Sequence, residues 1–327
     1  MRLAGPSDAG RIVETILRCY GETYVEFEAL DVPRLRHRLL RRETTYALAE
    51  EGGRIVGQVA LERLNPGLFA HCRAVVDLEH RGRGLMSAMS APLLDGVARE
   101  LDAKLILGSS VTHHVLTQRY NLGAGFQPLG LLLGIYPGIR ALGVPAAEQA
   151  VSGVQMGLRR CFRWSTREVA LPRHHAARAS KVLAALGIPC RRPRRRARVT
   201  APLGLEVERH LPSGRAQLRF SAAGRERTAP ARALEQELAR GAQVLWADVP
   251  LAHPNAPALV LELEGLGLGY GAVVPLAGLA GEDVLRLQRC ERPVSRDSIQ
   301  VLPELEGLRD DVLAERARVQ RRREVYA

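Results

Sequence analysis

The chain has 327 residues, of which 46% are hydrophobic, and a formal net charge of +12. This length favours two domains, each large enough to bury a core, and the absence of any apolar run of about 18 residues excludes a membrane-spanning helix. The N-terminus lacks the charged-then-apolar order of a secretory signal, so we expect a cytoplasmic protein.

The first part of the chain is predicted to form two helices and then antiparallel strands. Apolar residues recur at helical spacing up to Gly21, which is typical of a helix end. Two apolar runs flank Glu51-Gly52-Gly53-Arg54, a pattern that indicates a hairpin. The predicted elements are a strand at 2–4, helices from Ser7 or Asp8 to Gly21 and at 33–40, and strands at 46–49, 55–61 and 71–76.

A glycine-rich segment follows the last of these strands. Beyond it, the pattern predicts a helix at 86–100, a buried strand at 105–107, a short helix at 115–123, a strand at 126–135 and a closing strand at 154–158. Strands and helices are therefore mixed, and the fold class is α/β with a mixed sheet.

The remainder of the chain repeats this order of elements. A helix at 173–186 leads into an arginine run at 191–198, and further elements follow: strands at 205–208 and 216–220, a helix at 229–239, a strand at 243–249, a helix at 255–265, and strands at 268–275 and 283–289. We interpret this as a diverged internal repeat. The expected domains are 1–160, a helical and arginine-rich linker at 161–200, and 201–327.

Arginine supplies almost all of the positive charge, since Lys104 and Lys181 are the two lysines. A field of this sign favours anionic partners, such as an acidic peptide or carrier protein. The run at 191–198 is interpreted as a stiff, solvated linker, with a docking patch as the alternative. Nucleic acid is not the expected partner, because no aromatic residues interleave the arginines. The five cysteines form no CxxC pair, so no metal site is expected.

The glycine-rich segment has the composition of a phosphate-binding turn: Arg81-Gly82-Arg83-Gly84-Leu85-Met86-Ser87. A strand that turns directly into a helix leaves backbone N–H groups unpaired at the helix start, where a pyrophosphate fits. Two glycines remove the Cβ atoms that would keep phosphate oxygens away, and two arginines add positive charge. A tight turn with solvated arginines is the alternative interpretation.

This pattern resembles the GNAT superfamily of GCN5-related N-acetyltransferases over roughly residues 1–160. Its signature, Arg/Gln-x-x-Gly-x-Gly/Ala, is matched by Arg81, Gly84 and Met86, with Met86 in place of the usual Gly or Ala. Similarity to a bacterial subgroup extends through His80 to Met86 and Val111 to Gly134. The resemblance implies a GNAT fold, here duplicated, that binds acetyl-CoA or another acyl-CoA on residues 81–87. It also implies that backbone N–H groups at Val75 and Val76 polarise the thioester carbonyl.

The catalytic residues follow less directly from this resemblance. Many GNAT enzymes place a general-acid tyrosine at the position of Asn121, whose amide can hold a thiolate by a hydrogen bond but cannot protonate it. Tyr120 points about 100° away on the helix and is expected to lie in the core. His113 and His114 are candidates for the base that neutralises the acceptor amine, and capping or packing is their alternative role. His71 and Glu79 are weaker candidates.

The predicted function is therefore transfer of an acyl group from acyl-CoA to the amine of a small molecule or peptide by direct attack. Acetyl is the acyl group that we expect first. One alternative is transfer of a longer acyl chain to a peptide or natural-product amine. Another is a non-catalytic acyl-CoA-binding regulatory module. The second half has no phosphate loop at 221–228, so it is expected to shape the acceptor cleft or to form the contact of a homodimer.

Overall fold

A computed structural model describes residues 1–21, 24, 29–139, 143, 146–147, 150–160, 163–193, 203–222 and 229–326. The contacts divide the chain into two compact units. The first unit comprises Met1–Ser109, Gly138–Glu148 and Leu158–Cys161, and the second comprises Ser110–Pro137, Gln149–Gly157 and Phe162–Ala327. The predicted domain limits at residues 160 and 200 stay a prediction.

The first unit has a mostly antiparallel sheet covered by helices. Its strands lie in the order β1-β2-β3-β4-β5, antiparallel as far as β4 and parallel between β4 and β5. The predicted hairpin is confirmed, since Glu51 pairs with Arg54. In chain order, the elements are β1 (Arg2–Leu3), α1 (Ala9–Tyr20), α2 (Val32–Leu40), β2 (Thr44–Glu51), β3 (Arg54–Asn65), β4 (Leu68–Val76), α3 (Leu85–Ala91), α4 (Ala98–Glu100) and β5 (Leu105–Val111), whose last two residues belong to the second unit.

The apolar stripe of α1 explains how this unit holds its core. Ile12 and Ile16 are fully buried with Tyr46 and Leu48 of β2, and α1 ends at Gly21 as predicted, with φ of 59°. The helix predicted at 86–100 is interrupted by a π-helical segment, Pro92–Val97. Proline has no N–H to give to the α-helical ladder, which accounts for the irregularity.

The long strands of the second unit lie in the order β7-β6-β13-β14-β12-β11-β10. The elements are α5 (Leu116–Gly123), β6 (Gln127–Tyr136), β7 (Val151–Arg159), whose last two residues belong to the first unit, β8 (Arg167–Glu168), α6 (Arg173–Ala185), β9 (Cys190–Arg191), β10 (Gly204–His210), β11 (Arg215–Ser221), α7 (Pro230–Ala239), β12 (Val244–Pro250), α8 (Ala256–Gly265), β13 (Gly269–Val274), β14 (Val284–Cys290) and α9 (Glu306–Tyr326).

The strand connections repeat, as the sequence predicts. The antiparallel pair β3-β4 is followed by a helical crossover to β5, which runs parallel to β4. Likewise the antiparallel pair β10-β11 is followed by α7 and by β12, which runs parallel to β11. A helix and an antiparallel pair complete each half: α5 with β6-β7, and α8 with β13-β14. This topology supports the duplication, while the descent of the second half from a GNAT domain stays a prediction.

The C-terminal helix α9 is absent from the sequence-based elements, although it is 21 residues long. Its buried side includes Arg309 and Glu315 beside Val312 and Val319. Charged residues at buried positions remove the apolar periodicity that identifies an amphipathic helix. No helix in the described part of the chain is both long and apolar enough to cross a membrane.

The strands β6 and β13 approach each other so closely at Gly130 that there is no room for a side chain at this position. Gly130 of β6 pairs with Ala272 of β13. A Cβ atom on Gly130 would lie 2.0 Å from the carbonyl oxygen of Gly271 and 2.4 Å from the Cα of Ala272. Both neighbours are backbone, so a methyl group at position 130 would force the strands apart.

We predict that Gly130→Ala destabilises the protein by about 1–3 kcal/mol or more, because overpacking has no flexible side chain to displace. Thermal unfolding followed by circular dichroism measures the effect. Gly265→Ala is the matched control, since a Cβ there meets nothing within 4 Å. Equal melting temperatures for the two variants would show that β6 and β13 are not in close contact.

A buried polar cluster joins α6, α8 and α9. His174 and His175 both bond through Nε2 to Oε1 of Glu264, at 2.7 and 2.9 Å. Arg318 bonds to Glu264 and to Glu315. These two histidines and two glutamates place ligand atoms within 4.8 Å of one another, a set that could hold a metal ion. The expectation that the chain binds no metal therefore stays a prediction.

The charge state of Glu264 makes stability depend on pH. Burial by itself raises the pKa of Glu264, but hydrogen bonds from His175 and His174 and the charge of Arg318 outweigh it and lower the pKa to about 2. A carboxylate whose pKa is lower in the folded state stabilises the protein above its unfolded pKa of about 4.3. That stabilisation is lost as the pH falls from about 4 towards 2.

We predict that Glu264→Gln lowers stability at neutral pH by about 1–3 kcal/mol, because it removes the buried carboxylate that accepts from His175, Arg318 and Arg322. The variant should also lose less stability than wild type between pH 5 and pH 3. Urea unfolding at several pH values tests this. Glu262→Gln, at an exposed position of the same helix, is the control. Parallel pH profiles for Glu264→Gln and wild type would contradict the role of Glu264.

Candidate active site

The glycine-rich loop has the geometry predicted from sequence. Gly82 and Gly84 have φ angles of 76° and 73°, which favour glycine over all other residues. A Cβ on either glycine would meet nothing within 4 Å, so the space above the loop is open. The first helical bond runs from the N–H of Ala88 to the oxygen of Gly84, at 3.1 Å. The N–H groups of residues 85–87 therefore precede the helical ladder, as an anion site requires.

The two arginines of the loop differ in their surroundings. The Nε of Arg81 donates to the oxygen of Val76 at 3.1 Å, so this side chain folds back over the end of β4. Arg83 and Ser87 are exposed. Arg81 thus adds its charge from a position fixed by a hydrogen bond, whereas Arg83 adds its charge from the surface.

A buried carboxylate that the sequence analysis missed fixes the start of the loop. Asp77 is 7% exposed and pairs with Arg18 of α1 at 3.0 Å and Arg54 of β3 at 2.9 Å. The thiol of Cys19 lies 3.4 Å from the same carboxylate, and burial, together with Asp77, raises the pKa of that thiol to about 11. Because Asp77 directly follows β4, these contacts set the position from which the loop departs.

The strand β4 carries a bulge shortly before the loop. Its register against β3 shifts between the pairs Gln58↔Val75 and Ala60↔Cys72. Within the bulge, Arg73 has a φ of 53°, which costs a non-glycine residue about 1–2 kcal/mol. The guanidinium of Arg73 pairs with Glu62 of β3, and this ion pair helps to hold the strained residue.

The parallel pairing of β4 with β5 ends before either strand does. The last pair in the register is His71 with Gly108, yet β4 continues to Val76. In this described stretch, residues 72–76 of β4 pair with β3 on one side and lie beyond the β5 pairing on the other. The N–H of Asp77 bonds to the oxygen of Val56 on β3, and N–H groups alternate sides along a strand. The N–H of Val76 therefore points to the other side, where it is free of the parallel ladder, as binding a carbonyl oxygen through an N–H group needs.

His71 and Glu79, the weaker candidates, lie away from such a role. His71 is buried, and its Nε2 lies 2.9 Å from the Oγ of Ser90 on α3. Burial lowers the pKa of His71 to about 4, so the ring is neutral and ties β4 to α3. Glu79 is exposed, in agreement with the solvent-facing position expected for it.

The other predicted residues belong to the second unit, on the segment from the end of β5 to α5. Asn121 is 5% exposed, and its Nδ2 donates to the Oγ of Ser110 at 2.8 Å. One N–H of the amide is thus committed to the protein. Tyr120 is half-buried, and its predicted place in the core stays a prediction, as does the role of Asn121.

The two adjacent histidines have different surroundings. Both ring nitrogens of His113 are buried and have no hydrogen-bond partner within the described ranges. Burial and the neighbouring His114 lower the pKa of His113 to about 4, so its ring is neutral at pH 7. His114 instead accepts at Nδ1 from the N–H of Leu116, at 3.3 Å, at the start of α5. The neutral ring of His113 therefore has a nitrogen lone pair that accepts no hydrogen bond from the described residues.

Gln118 was missed by the sequence analysis of the site, although it holds this segment in place. It is fully buried, and its Nε2 lies within 3.2 Å of the backbone oxygens of Val111, His114 and Gln300. Its Oε1 accepts from the N–H of Leu302 at 3.1 Å. Gln118 therefore links the turn that carries His113 and His114 by hydrogen bonds to residues 300–302, just before α9.

The equivalent parallel pair in the second half, β11 with β12, carries a buried ion pair. Asp248 of β12 is buried and accepts from Gln217 of β11 at 2.7 Å. It also accepts two hydrogen bonds of 2.7 Å from Arg286 of β14. Of the segment 221–228, residues 223–228 lie outside the described residues, so the predicted lack of a phosphate loop there stays a prediction.

The model of the "Acetyltransferase (GNAT) family" matches residues 11–122, from α1 to α5. The chain therefore carries a GNAT acetyltransferase domain. All of the predicted site residues lie within this range. Among curated proteins, no match is found.

Three solved structures with similarity to the chain are named as acetyltransferases. The IAA acetyltransferase from Bacillus cereus ATCC 14579 is 11% identical, with a TM-score of 0.38 over 49% of this chain and 97% of its own. The ribosomal-protein-S5-alanine acetyltransferase from Vibrio fischeri is 15% identical, with a TM-score of 0.39 over 50% and 94%. Ard1 from Thermoplasma volcanium is 17% identical, with a TM-score of 0.38 over 49% and 96%. The assignment of the GNAT domain rests on the family model.

Proposed function

We propose that this protein is an acyl-CoA-dependent N-acyltransferase that transfers an acetyl group to the amine of a small molecule or peptide in the cytoplasm. The observation that carries the proposal is the open loop at residues 81–87, with two glycines at positive φ between a strand and a helix, inside a matched GNAT domain.

The loop would hold the pyrophosphate of the acyl-CoA. The N–H groups of Leu85, Met86 and Ser87 are the donors, and Arg81 and Arg83 supply positive charge. The open space at Gly82 and Gly84 leaves room for phosphate oxygens close to the backbone. Met86, at the position where the family has Gly or Ala, is half-buried.

The reaction is a direct attack. The amine nitrogen adds to the thioester carbonyl carbon, the C–S bond breaks, and the CoA thiolate leaves. The backbone N–H group of Val76 would bind the carbonyl oxygen as its negative charge develops. A neutral His113 would take the proton that the amine loses, directly or through a water molecule. The remaining N–H of Asn121 would stabilise the thiolate, which needs modest help because a free thiol has a pKa near 8.5.

Two other functions differ in a measurable way. If the protein transferred a longer acyl chain in place of acetyl, it would be a fatty acyltransferase. The net charge of +12 favours an acidic peptide or carrier protein as the acceptor of that chain. A regulatory module would bind acyl-CoA without turnover. Mass spectrometry after incubation with acetyl-CoA or decanoyl-CoA and a panel of amines, including acidic peptides, separates the three. Bound CoA without an acylated amine would refute the enzyme.

We predict that Gly84→Asp weakens CoA binding at least tenfold more than Ser87→Ala does. Aspartate places a Cβ and a negative charge at the phosphate position, whereas Ser87 contributes at most one hydrogen bond of about 1 kcal/mol. Isothermal titration calorimetry measures both variants, and one site per chain is expected. Equal affinities for the two variants, or two equivalent sites in wild type, would count against the loop as the CoA site.

We predict that His113→Gln lowers kcat/KM by about 100-fold or more, as is typical for loss of a general base. His114→Gln, Asn121→Ala and Tyr120→Phe are measured beside it by release of the CoA thiol, with melting temperatures recorded. His114→Gln is the matched control, and it should cost less because His114 accepts from a backbone N–H. Asn121→Ala should lower turnover, and Tyr120→Phe should retain most activity. A folded Tyr120→Phe protein that binds CoA without turnover would make Tyr120 the general acid.

A further inference from the structure

A cavity of about 220 Å³ lies in the second unit, where β13, β14 and α9 meet. We infer that this cavity, called here the β13–α9 cavity, binds a small oxyanion, a carboxylate or a phosphate. Three arginines line it, namely Arg289, Arg316 and Arg323, together with Glu291 and Glu324. One water molecule occupies about 30 Å³ in the liquid, so the cavity has room for an anion of a few heavy atoms.

Arg316 carries the inference, because its charge is not balanced. Its Nη1 donates to the oxygen of Val294 at 3.1 Å, and its Nη2 lies 3.4 Å from the oxygen of Cys290. Its Nε is buried and has no hydrogen-bond partner within the described ranges. Both of its partners are neutral carbonyl groups. A negative charge stabilises a half-buried guanidinium of this kind. No carboxylate of the described residues pairs with Arg316.

The other charges around the cavity do not offset that of Arg316. Arg289 and Arg323 share one carboxylate, that of Glu291, and the Arg323 contact is long at 3.9 Å. Including Glu324, the lining holds three arginines and two glutamates. Near the cavity wall at Cys290, the buried Arg292 also has neutral partners: Gln243 at 2.9 Å and the oxygens of Gly134 and Ser213. The field in the cavity is therefore positive.

Two further polar side chains of the wall are already engaged. Gln288 donates to the oxygens of Leu131 and Tyr270 and accepts from the N–H of Leu133. The hydroxyl of Tyr270 donates to the oxygen of Leu129 at 3.1 Å. The donors left for a ligand are the arginines and the amide of Gln320, an exposed residue of α9. The charge of the arginines selects for an anion.

The cluster of Glu264 on α8 and Glu315 on α9 shows the opposite situation. There the carboxylates of Glu264, Glu315 and Asp311 face three arginines, Arg178, Arg318 and Arg322. The charges match, so the cluster has no comparable need for an anion. The contrast places the unbalanced cation at the cavity rather than along α9 as a whole.

The test is a thermal shift in chloride buffer of fixed ionic strength, with inorganic phosphate and malonate as separate probes. We expect at least one anion to raise the melting temperature by several degrees at millimolar concentration, and the anion that acts identifies the class. Arg316→Gln should weaken the response at least tenfold. Arg321→Gln, at an exposed position of the same helix, is the matched control and should respond as wild type does.

Cys290 gives a second readout in the wild-type protein, in case Arg316→Gln does not fold. Cys290 is one of the residues that line the cavity, so a bound anion should slow the alkylation of its thiol by iodoacetamide at least threefold. Cys72 and Cys190 do not line the cavity and serve as internal controls in the same peptide map. The inference is overturned if neither anion changes the melting temperature or the alkylation of Cys290. It is also overturned if a folded Arg316→Gln protein responds as wild type does.

Discussion

The carboxylate of Asp77 is the constraint on which the candidate site depends. It terminates β4, pairs with Arg18 of α1 and Arg54 of β3, and so fixes the strand end to two other elements. A short 3-10 helix, Leu78–His80, and then the loop with its two glycines at positive φ follow Asp77. A buried charge held by two cations gives such a loop a defined starting point, since displacement would leave the carboxylate buried without partners.

The bulge at Arg73 and the early end of the β4–β5 pairing act together with this anchor. A parallel ladder that continued to Val76 would use the backbone groups that a thioester carbonyl needs. Instead the register stops at His71 and Gly108, and the strained Arg73 is held by Glu62. The related pair in the second half keeps the same parallel start but carries Asp248 and Arg286. The two halves thus share a topology, and in the second half a buried ion pair lies at the end of the parallel pairing.

The large positive charge of the chain is distributed unevenly among its contacts. Most of the arginines discussed above, such as Arg178 and Arg318, are matched by carboxylates. Arg292 and Arg316 instead rely on neutral acceptors. A high arginine content is therefore compatible with two different roles, bracing the fold and attracting anions, and only the local partners distinguish them.

The sequence by itself determined the elements whose signals are local. The apolar spacing of α1, the hairpin at residues 51–54, the glycine loop and the repeated order of strands and helices all depend on neighbours a few residues apart. Tertiary structure alone decided the rest. Asp77 meets Arg18 across 59 positions, and Gln118 meets Gln300 across 182. The helix α9 and the unengaged ring of His113 belong to this group as well. Pairing over such distances depends on which side chains the folded chain brings together, and hydrophobic periodicity carries no record of it.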